Sequence, residues 1–545
     1  MTREAGGRIT AAVLAVPWLC LVAVGLLAIF AGVDALDEAH RADFARLLAR
    51  VGPGQLDRPV EAYVRQVEPY LAAVVPALAG TGLLLLLLHR SHRATCSAAL
   101  AGWKPFERVG VSAPAGAAIV GVGLLVVVGH HLLVLVGGWR VSTSLTFPIG
   151  IFFPGFHASA WPYALAFLAV VAWGWSRARG GIALAWILGL VLLLLGNLLQ
   201  GGWFTGFRLP VEGSGIQYFH AAIRIEDVSA WLASFTSIQG ELHPHSGVHP
   251  PFAVLLHYYL WRLGGVTLLS LAFTIAASSS VPILFVIARG LGTTRDRAFR
   301  LALLFAVLPA FNIYGAVSLD GVILPLMTLG LWGLVRFHRG RADCLSWTLL
   351  AGGVLGANLL TFGGVILAGI AGVVALERAV RARSFALLGA LLAVIGAGLL
   401  LGWGLATWWG YDHLEAFRHA SRLENPGGFL LLHDPREYLV TRVEDVAEIL
   451  LFSSLGVLAL LFRHGRLGLA GPVPGSTLAW CGIGMLLAAF LTGAFKTGET
   501  ARACLFVYPY LLLAIRNATI HAWTTCLVLA ALQTVAMQGV GSCFW

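Results

Sequence analysis

The chain has 545 residues, of which 58% are hydrophobic and only 11% charged, and its mean hydropathy is +0.84. Soluble domains carry about 25% charged residues, so this composition excludes an ordinary soluble protein. The net charge of +10 comes from short basic clusters between apolar runs, which argues against nucleic-acid binding. The seven cysteines include no Cys-x-x-Cys pair, so they predict neither a disulfide framework nor a zinc site.

Apolar runs of roughly 20 residues recur along the chain and predict helices that cross a bilayer. The runs do not alternate as barrel strands do, so the expected fold class is an all-α polytopic membrane protein. The first run is too long for a signal-peptide core and is interpreted as a retained span. About fifteen spans are predicted, at 9–33, 69–88, 110–136, 157–175, 181–200, 266–288, 301–318, 321–335, 346–360, 362–376, 385–409, 447–462, 474–493, 502–515 and 519–538.

The distribution of basic residues predicts how these spans are oriented. With a cytoplasmic N-terminus, the inside segments carry a net charge of +16 and the outside segments −6, which together give the +10 of the whole chain. We therefore expect a multi-pass protein of the plasma (inner) membrane. Polar segments at 201–265, 318–321, 410–446 and 494–502 then meet on the outer face, where chemistry is expected.

The end of the first large outer loop, residues 251–265, is apolar but too short to cross a membrane comfortably. A crossing here would also break the alternation of loop charge. We predict a helix that starts at Pro250-Pro251 and lies on the outer surface of the membrane. Tyr258, Tyr259 and Trp261 suit such an interface.

The stretch HPHSGVHPP, which precedes that helix, contains three histidines, His243, His245 and His249. Imidazole is a common metal ligand, and a catalytic zinc needs three protein ligands. Pro244 argues against the helical spacing of a metal site, so binding of a polar headgroup or phosphate is the favoured hypothesis. Structural hydrogen bonding in a tight loop remains an alternative.

Asp320, in Ser-Leu-Asp-Gly, lies at the outer mouth between two predicted spans. A carboxylate at that depth is costly unless it faces a cavity or a partner, which indicates a functional role. It could also cap the helix that follows, because aspartate is a strong N-cap. The two roles are compatible.

The segment FKTGETAR, residues 495–502, is a candidate phosphate site. Lys496 and Arg502 flank the predicted start of an outer helix, where the helix dipole also attracts anions. Glu499 and Arg502 are three residues apart and would form an ion pair in a helix. The alternative is a solvated loop with one surface ion pair.

Several carboxylates of the first outer loop are candidate general bases, namely Glu212, Glu226, Asp227 and Glu241. Each of them could take a proton from an acceptor hydroxyl. The 410–446 loop is interpreted mainly as a lid or wall; its polar residues Asp412, His413, Glu415, His419 and Arg422 could line one helical face.

Taken in order, these motifs resemble the GT-C class of glycosyltransferases that use polyprenyl-phosphate sugars, such as mannosyl-, arabinosyl- and aminoarabinose transferases. The resemblance covers roughly 181–515. Its most specific motif is His245-x-x-x-His249-Pro-Pro, which is similar to the H-x-x-x-H-P-P-G block of bacterial members, followed by the GE-x-x-R-x-x-x-F-x-x-P motif at 498–509. Gly196 to Gln200, Gln217 to His220, Trp231 to Phe235, Leu308 to Ala310 and Ser318 to Gly321 complete the series.

The resemblance implies a sugar donor on a polyprenyl phosphate and an acceptor that is a glycan, lipid or protein. An acidic residue would activate the acceptor hydroxyl, and attack at the anomeric carbon would expel the lipid phosphate. The resemblance also implies substrate or phosphate contacts by Tyr218, by His243, His245 and His249, and by Lys496, Glu499 and Arg502. No cofactor is required by the sequence, although a divalent metal is compatible with it.

The chain departs from the family pattern in two places. Phe252 stands where a glycine is common, and Gln217 precedes Tyr218 where related sequences often have an acid. The base therefore stays open among Glu212, Glu226, Asp227 and Glu241, and Asp320 is a further candidate catalytic residue.

The expected domains are a four-span extension of unknown role at 1–180 and a GT-C-like catalytic core at 181–545, whose outer loop at 201–265 forms part of the active site. A transporter or lipid flippase, and a non-catalytic scaffold of the same fold, are the alternative functions.

Overall fold

The computed structural model describes residues 158–540, apart from 178, 214–216, 455, 459, 462–475 and 494–499. The described residues form helices joined by turns and contain no strand, as expected from the apolar runs. The predicted spans at 9–33, 69–88 and 110–136, and with them most of the predicted N-terminal extension, lie outside the described residues. Lys496 and Glu499 lie outside them as well.

We number the α-helices of the described part in chain order. They are α1 (Trp161–Ser176), α2 (Ile182–Leu198), α3 (Leu209–Glu212), α4 (Phe219–Ala222), α5 (Val228–Ile238), α6 (Pro244–Val248), α7 (Pro251–Ser278), α8 (Ser280–Gly290), α9 (Arg295–Ala306), α10 (Pro309–Tyr314), α11 (Leu319–His338), α12 (Cys344–Thr361), α13 (Gly364–Ala382), α14 (Ala386–Trp409), α15 (His413–Glu424), α16 (Leu430–His433), α17 (Pro435–Phe452), α18 (Ser476–Leu491), α19 (Thr500–Ala503), α20 (Val507–Ala514) and α21 (Ile520–Val540).

Within the described part, five helical segments are long and apolar enough to cross a membrane: Pro251–Gly290, α11, α12, α14 and Ile520–Gly539. Three shorter apolar helices lie at Trp161–Ser176, Ile182–Leu198 and Thr477–Leu491. The lipid-facing character is plainest on α14, where Leu399, Trp403 and Trp408 are all well exposed. These helices are compatible with a multi-pass membrane protein, while the total of fifteen spans stays a prediction.

The predicted surface helix at 251–265 and the span after it form one long helix with a kink. Pro250 is the N-cap and Pro251 the first helical residue, as the paired prolines predict. The helical backbone is interrupted at Gly264 and Gly265, and Gly265 has a φ of +66°, a conformation that favours glycine. The break in the helix therefore falls at the predicted boundary between the surface helix at 251–265 and the span at 266–288.

Two of the predicted spans are divided into shorter helices. Residues 301–318 are not one helix, because α9 ends at Ala306 and Pro309 begins the fully buried α10. Proline lacks the N–H that would continue the α9 ladder, and its ring disfavours helical backbone in the residue before it. The predicted span at 502–515 is likewise divided between α19 and α20.

The predicted span at 447–462 begins much earlier than expected. Helix α17 starts at Pro435, and the side chain of Asp434 accepts a hydrogen bond from the Glu437 N–H at 2.8 Å as its N-cap. Much of the segment expected to be loop is therefore helix. This brings Asp445 and Glu448 onto one buried stretch of α17.

A network of buried amides joins α2, α10 and α21 behind the outer loops. The Asn197 side chain donates to the Asn312 carbonyl at 2.8 Å, and Gln538 donates to the same carbonyl at 3.2 Å. Gln200 donates to the Gln538 side chain at 2.7 Å. Because buried amides are costly without partners, this network fixes how the three helices pack. It accounts for the polar residues in the Gly196–Gln200 stretch.

Candidate functional site

Ser318 positions Asp320 at the start of α11. The Ser318 hydroxyl accepts a hydrogen bond from the Gly321 N–H at 2.9 Å and donates to the Tyr314 carbonyl. Ser318 is therefore the N-cap, and the prediction that Asp320 takes this role is wrong. A side chain on residue 321 would collide with the Gly315 carbonyl, since a Cβ there would lie 2.2 Å from that oxygen. This local geometry leaves the Asp320 carboxylate available to another element.

That element is α19, whose Arg502 forms an ion pair with Asp320. The Nε atom of Arg502 lies 3.5 Å from Oδ2 of Asp320, and the Arg502 side chain is 7% exposed against 22% for Asp320. The expected partner, Glu499, lies outside the described residues. The observed pair joins two segments that are far apart in sequence, and charge pairs of this limited exposure are screened less than surface pairs.

Behind Arg502, two carboxylates of α17 hold the start of α19. Oε2 of Glu448 accepts the N–H groups of Thr500 and Ala501 at 2.6 and 3.3 Å. The Thr500 hydroxyl donates to Asp445 at 2.5 Å. Asp445 also pairs with Arg442 one helical turn earlier, at 2.9 Å. Asp445 and Glu448 are fully buried, and burial raises the pKa of Asp445 to about 6 although Thr500 and Arg442 oppose this shift.

These α17 residues were not among the candidate site residues predicted from the sequence. Residue 448 was placed in a predicted span and residue 445 in the lid. A signal was nevertheless present, because Arg442, Asp445 and Glu448 recur at every third position and so share one face of a helix. The helix also carries Arg436, Glu437 and Glu444, so the spacing by itself did not show which of its charges would be buried.

The histidine block is helical, contrary to our expectation from Pro244. That proline is the first residue of the short helix α6, a position where it causes no clash. Nδ1 of His249 lies 2.9 Å from the His245 carbonyl, and the two rings are 6.1 Å apart. Tyr218 packs against the same rings, at 5.5 Å from His249 and 6.3 Å from His245.

The two histidines are neutral and lie beside Arg502. Burial, together with the charge of Arg502, lowers the pKa of His245 to about 3. Burial, the nearby His245 and Arg502 lower the pKa of His249 to about 3 as well. Both rings nevertheless keep some accessible surface. Tyr218 packs on both rings and Arg502 acts on both electrostatically, so the four residues form one cluster.

These pKa values predict a specific loss of stability in acid. An unfolded histidine titrates near pH 6.5, so between about pH 6.5 and pH 3 the unfolded chain binds protons that the folded chain does not. The contribution of His249 to the free energy of unfolding is therefore expected to be complete above pH 6.5 and to decrease as the pH falls towards 3. Thermal unfolding of the detergent-solubilised protein at pH 7.5 and pH 5 measures this decrease.

The matched variants for that measurement are His249→Asn and His521→Asn. His249→Asn retains a donor for the His245 carbonyl and should lose less stability between the two pH values than the wild type. His521 is exposed, so its replacement should leave the pH dependence unchanged. Because the pKa of Asp445 is raised in the folded protein, its protonation increases the free energy of unfolding as the pH falls. This contribution is the same in the wild type and in both variants. Equal pH dependence in all of them would contradict a depressed pKa for His249.

The other candidate bases occupy more peripheral positions. Glu212 forms an ion pair with Arg208 at 2.7 Å. Asp227 is the N-cap of α5 and accepts the Ala230 N–H at 2.9 Å, which satisfies its carboxylate locally. Glu226 and Glu241 are exposed.

The third histidine of the block, His243, packs beside His220 with ring centroids 6.0 Å apart. His220 in turn lies 3.1 Å from the Glu212 carbonyl oxygen. Among the described residues, no group of three His, Cys, Asp or Glu is arranged to hold a metal ion, so the structure offers no ligand set there for a divalent metal.

The predicted lid forms α15, which packs on the histidine helix. The Gln239 amide donates to the Gly247 carbonyl at 2.7 Å and to the Ala416 carbonyl at 3.0 Å, which ties α6 to α15. His413 faces inwards and contacts Asn358 and Tyr411 at 2.9 and 3.0 Å. Glu415 pairs with Arg418 and His419 on the outer side. The predicted polar face is therefore divided between two sides of the helix.

No protein-family model, curated protein or solved structure matches this chain. A functional assignment therefore depends on the chemistry of this cluster itself. Its polar groups are one carboxylate paired with an arginine, two neutral imidazoles and a tyrosine, contributed by α11, α19, α6 and the segment before α4.

Proposed function

We propose that the chain is a multi-pass membrane glycosyltransferase that uses a sugar carried on a polyprenyl phosphate and transfers it to a glycan, lipid or protein on the outer face of the membrane. The observation that carries this proposal is the Asp320–Arg502 pair beside the neutral His245 and His249. It brings a base, a cation and uncharged hydrogen-bonding groups together in one cluster. A lipid-linked sugar phosphate requires these three kinds of contact.

Asp320 is the proposed general base, because it is the candidate carboxylate in contact with Arg502. It takes the proton of the acceptor hydroxyl while that oxygen forms a bond to the anomeric carbon. The bond from the anomeric carbon to the phosphate oxygen breaks, and its electron pair leaves with the lipid phosphate. Arg502 stabilises the charge that develops on this leaving group.

The histidines and Tyr218 suit the uncharged part of the donor. Hydrogen bonding of Nδ1 of His249 to the His245 carbonyl leaves Nε2 as an acceptor for a sugar hydroxyl. Neutral rings contribute no charge to phosphate binding. Of the two ligands first considered for the histidine block, a polar headgroup and a phosphate, we therefore favour the uncharged polar group. The predicted phosphate contacts of Lys496 and Glu499 stay part of the proposal.

Comparison of cells with and without this protein tests the proposal. Mass spectrometry of lipid-linked sugars and envelope glycans should show a polyprenyl-phosphate sugar that accumulates in its absence. One sugar residue should disappear from an envelope glycan in the same cells. Re-expression of the wild type should restore both, and re-expression of Asp320→Asn should restore neither. Unchanged lipid and glycan profiles would contradict the proposal.

A transporter or lipid flippase is the second candidate, and the buried charges of α17 favour it. Transporters place ionisable groups inside a helical bundle, where they line a substrate path. Arg442, Asp445 and Glu448 are ionisable groups packed among the helices, and the two carboxylates are fully buried. Movement of a fluorescent polyprenyl phosphate across vesicles that contain the purified protein, without any sugar transfer, would favour this function.

A further inference from the structure

The short helix α19 depends on α17 for its position. A helix of four residues has too few internal hydrogen bonds to be stable by itself. Its first two N–H groups both go to Glu448, and the hydroxyl of its first residue goes to Asp445. At most 1% of the surface of Thr500, Asp445 or Glu448 is exposed to solvent. Water therefore cannot replace these bonds without opening the structure.

Arg502 lies on this helix, two residues after Thr500. It forms its ion pair with Asp320 of α11, while Arg442 compensates Asp445 on the α17 side. Arg442 is itself fixed by a hydrogen bond to the Phe490 carbonyl. Asp445 and Asp320 thus each form an ion pair with a different arginine.

We propose that Asp445 and Glu448 are positioning residues: they clamp the start of α19 and thereby hold Arg502 towards Asp320 and the histidine pair. The assignment of a lipid phosphate as the anion that Arg502 binds rests on the proposed function. The clamp itself rests on the contacts between α17 and α19. If the clamp exists, loss of the Thr500–Asp445 hydrogen bond should displace Arg502, because both residues lie on α19. A change at Thr500 alone should therefore weaken the binding of an anion by Arg502.

Replacement of Thr500 tests this clamp with a nearly isosteric pair. Thr500→Val removes the hydroxyl that Asp445 accepts and keeps the shape, whereas Thr500→Ser keeps the hydroxyl. Two quantities are measured on the full-length protein in nanodiscs: hydrogen exchange of the backbone amides at 500–506, and the dissociation constant of farnesyl phosphate. For Thr500→Val we expect about tenfold faster exchange and about tenfold weaker binding, the size expected for loss of one hydrogen bond to a charged group. Thr500→Ser should resemble the wild type in both.

A merely structural role would reduce the folded fraction without changing the dissociation constant of the protein that remains folded. Faster exchange with unchanged binding would therefore overturn the proposal, and so would unchanged exchange. If Thr500→Val does not fold, Glu448→Gln, which keeps a side-chain oxygen but removes its charge, takes its place with the same expectations. If the wild type binds no farnesyl phosphate, the proposed function fails, but the clamp is still tested by hydrogen exchange. Faster amide exchange in Thr500→Val, together with the wild-type rate in Thr500→Ser, would support the clamp.

Discussion

Asp320→Asn is expected to lower the rate constant of sugar transfer by about a hundredfold to ten-thousandfold, the range over which a general base contributes. Asparagine has nearly the same shape as aspartate and keeps an oxygen that can accept from Arg502, but it cannot take the acceptor proton. The dissociation constant of the donor should change far less than the rate constant. Single-turnover transfer with a purified polyprenyl-phosphate sugar measures the rate constant separately from binding.

The matched control for this prediction is Asp227→Asn. Asp227 caps α5 through the Ala230 N–H, and asparagine is an equally good N-cap, so both stability and transfer should be retained. Glu226→Gln, at an exposed neighbouring position, should also transfer at the wild-type rate. If Asp227→Asn or Glu226→Gln is the inactive variant and Asp320→Asn is active, the base has been assigned to the wrong residue.

Gly196→Ala is expected to lower the free energy of unfolding by about 2–4 kcal/mol, because it combines overpacking with the loss of buried hydrogen bonds. A Cβ at position 196 would lie 1.8 Å from Oδ1 of Asn312. Asn312 cannot withdraw easily, since its side-chain amide donates to the Leu192 carbonyl at 3.0 Å and its main-chain oxygen accepts from Asn197. The amide network of α2, α10 and α21 would have to separate.

Thermal unfolding of the detergent-solubilised protein, followed by circular dichroism, measures this effect. The matched control is Gly389→Ala in α14, where a Cβ meets nothing within 4 Å. Alanine is a better helix former than glycine by about 0.5–1 kcal/mol, so the control should unfold at the same or a higher temperature. Equal unfolding temperatures of the Gly196→Ala and Gly389→Ala variants would contradict the prediction, because they would show that the amide network of α2, α10 and α21 can adjust without loss of stability.

Local sequence signals predicted much of the helical architecture. Most described residues of the apolar runs between 157 and 538 lie on helices, with breaks inside the runs at 301–318 and 502–515, and paired prolines begin α7 as expected. The errors arose where a short-range rule was applied to the wrong residue. Asp320 was expected to cap α11, although Ser318 has the correct spacing to Gly321. Pro244 was expected to prevent a helix, although proline is favoured at a first helical position.

The candidate site was only partly predictable. Tyr218, His245, His249, Asp320 and Arg502 were singled out from their residue types and their predicted outer-face segments, and in the structure they form one cluster through ring contacts, an ion pair and the charge of Arg502. The sequence offered no means of predicting that Arg502 pairs with Asp320, because helical spacing relates a residue only to its neighbours in sequence.

The sequence by itself determined that this protein is helical and apolar enough for a membrane, and where most of its helices begin, because hydropathy, proline and capping act over a few residues. Only the tertiary structure decided which charges meet. Arg502 pairs with Asp320, and Glu448 accepts a hydrogen bond from the start of α19. In both cases the partners are far apart in sequence, and no local sequence pattern predicts the contact. The same holds for the neutral state of the histidines, since burial by distant segments sets their pKa.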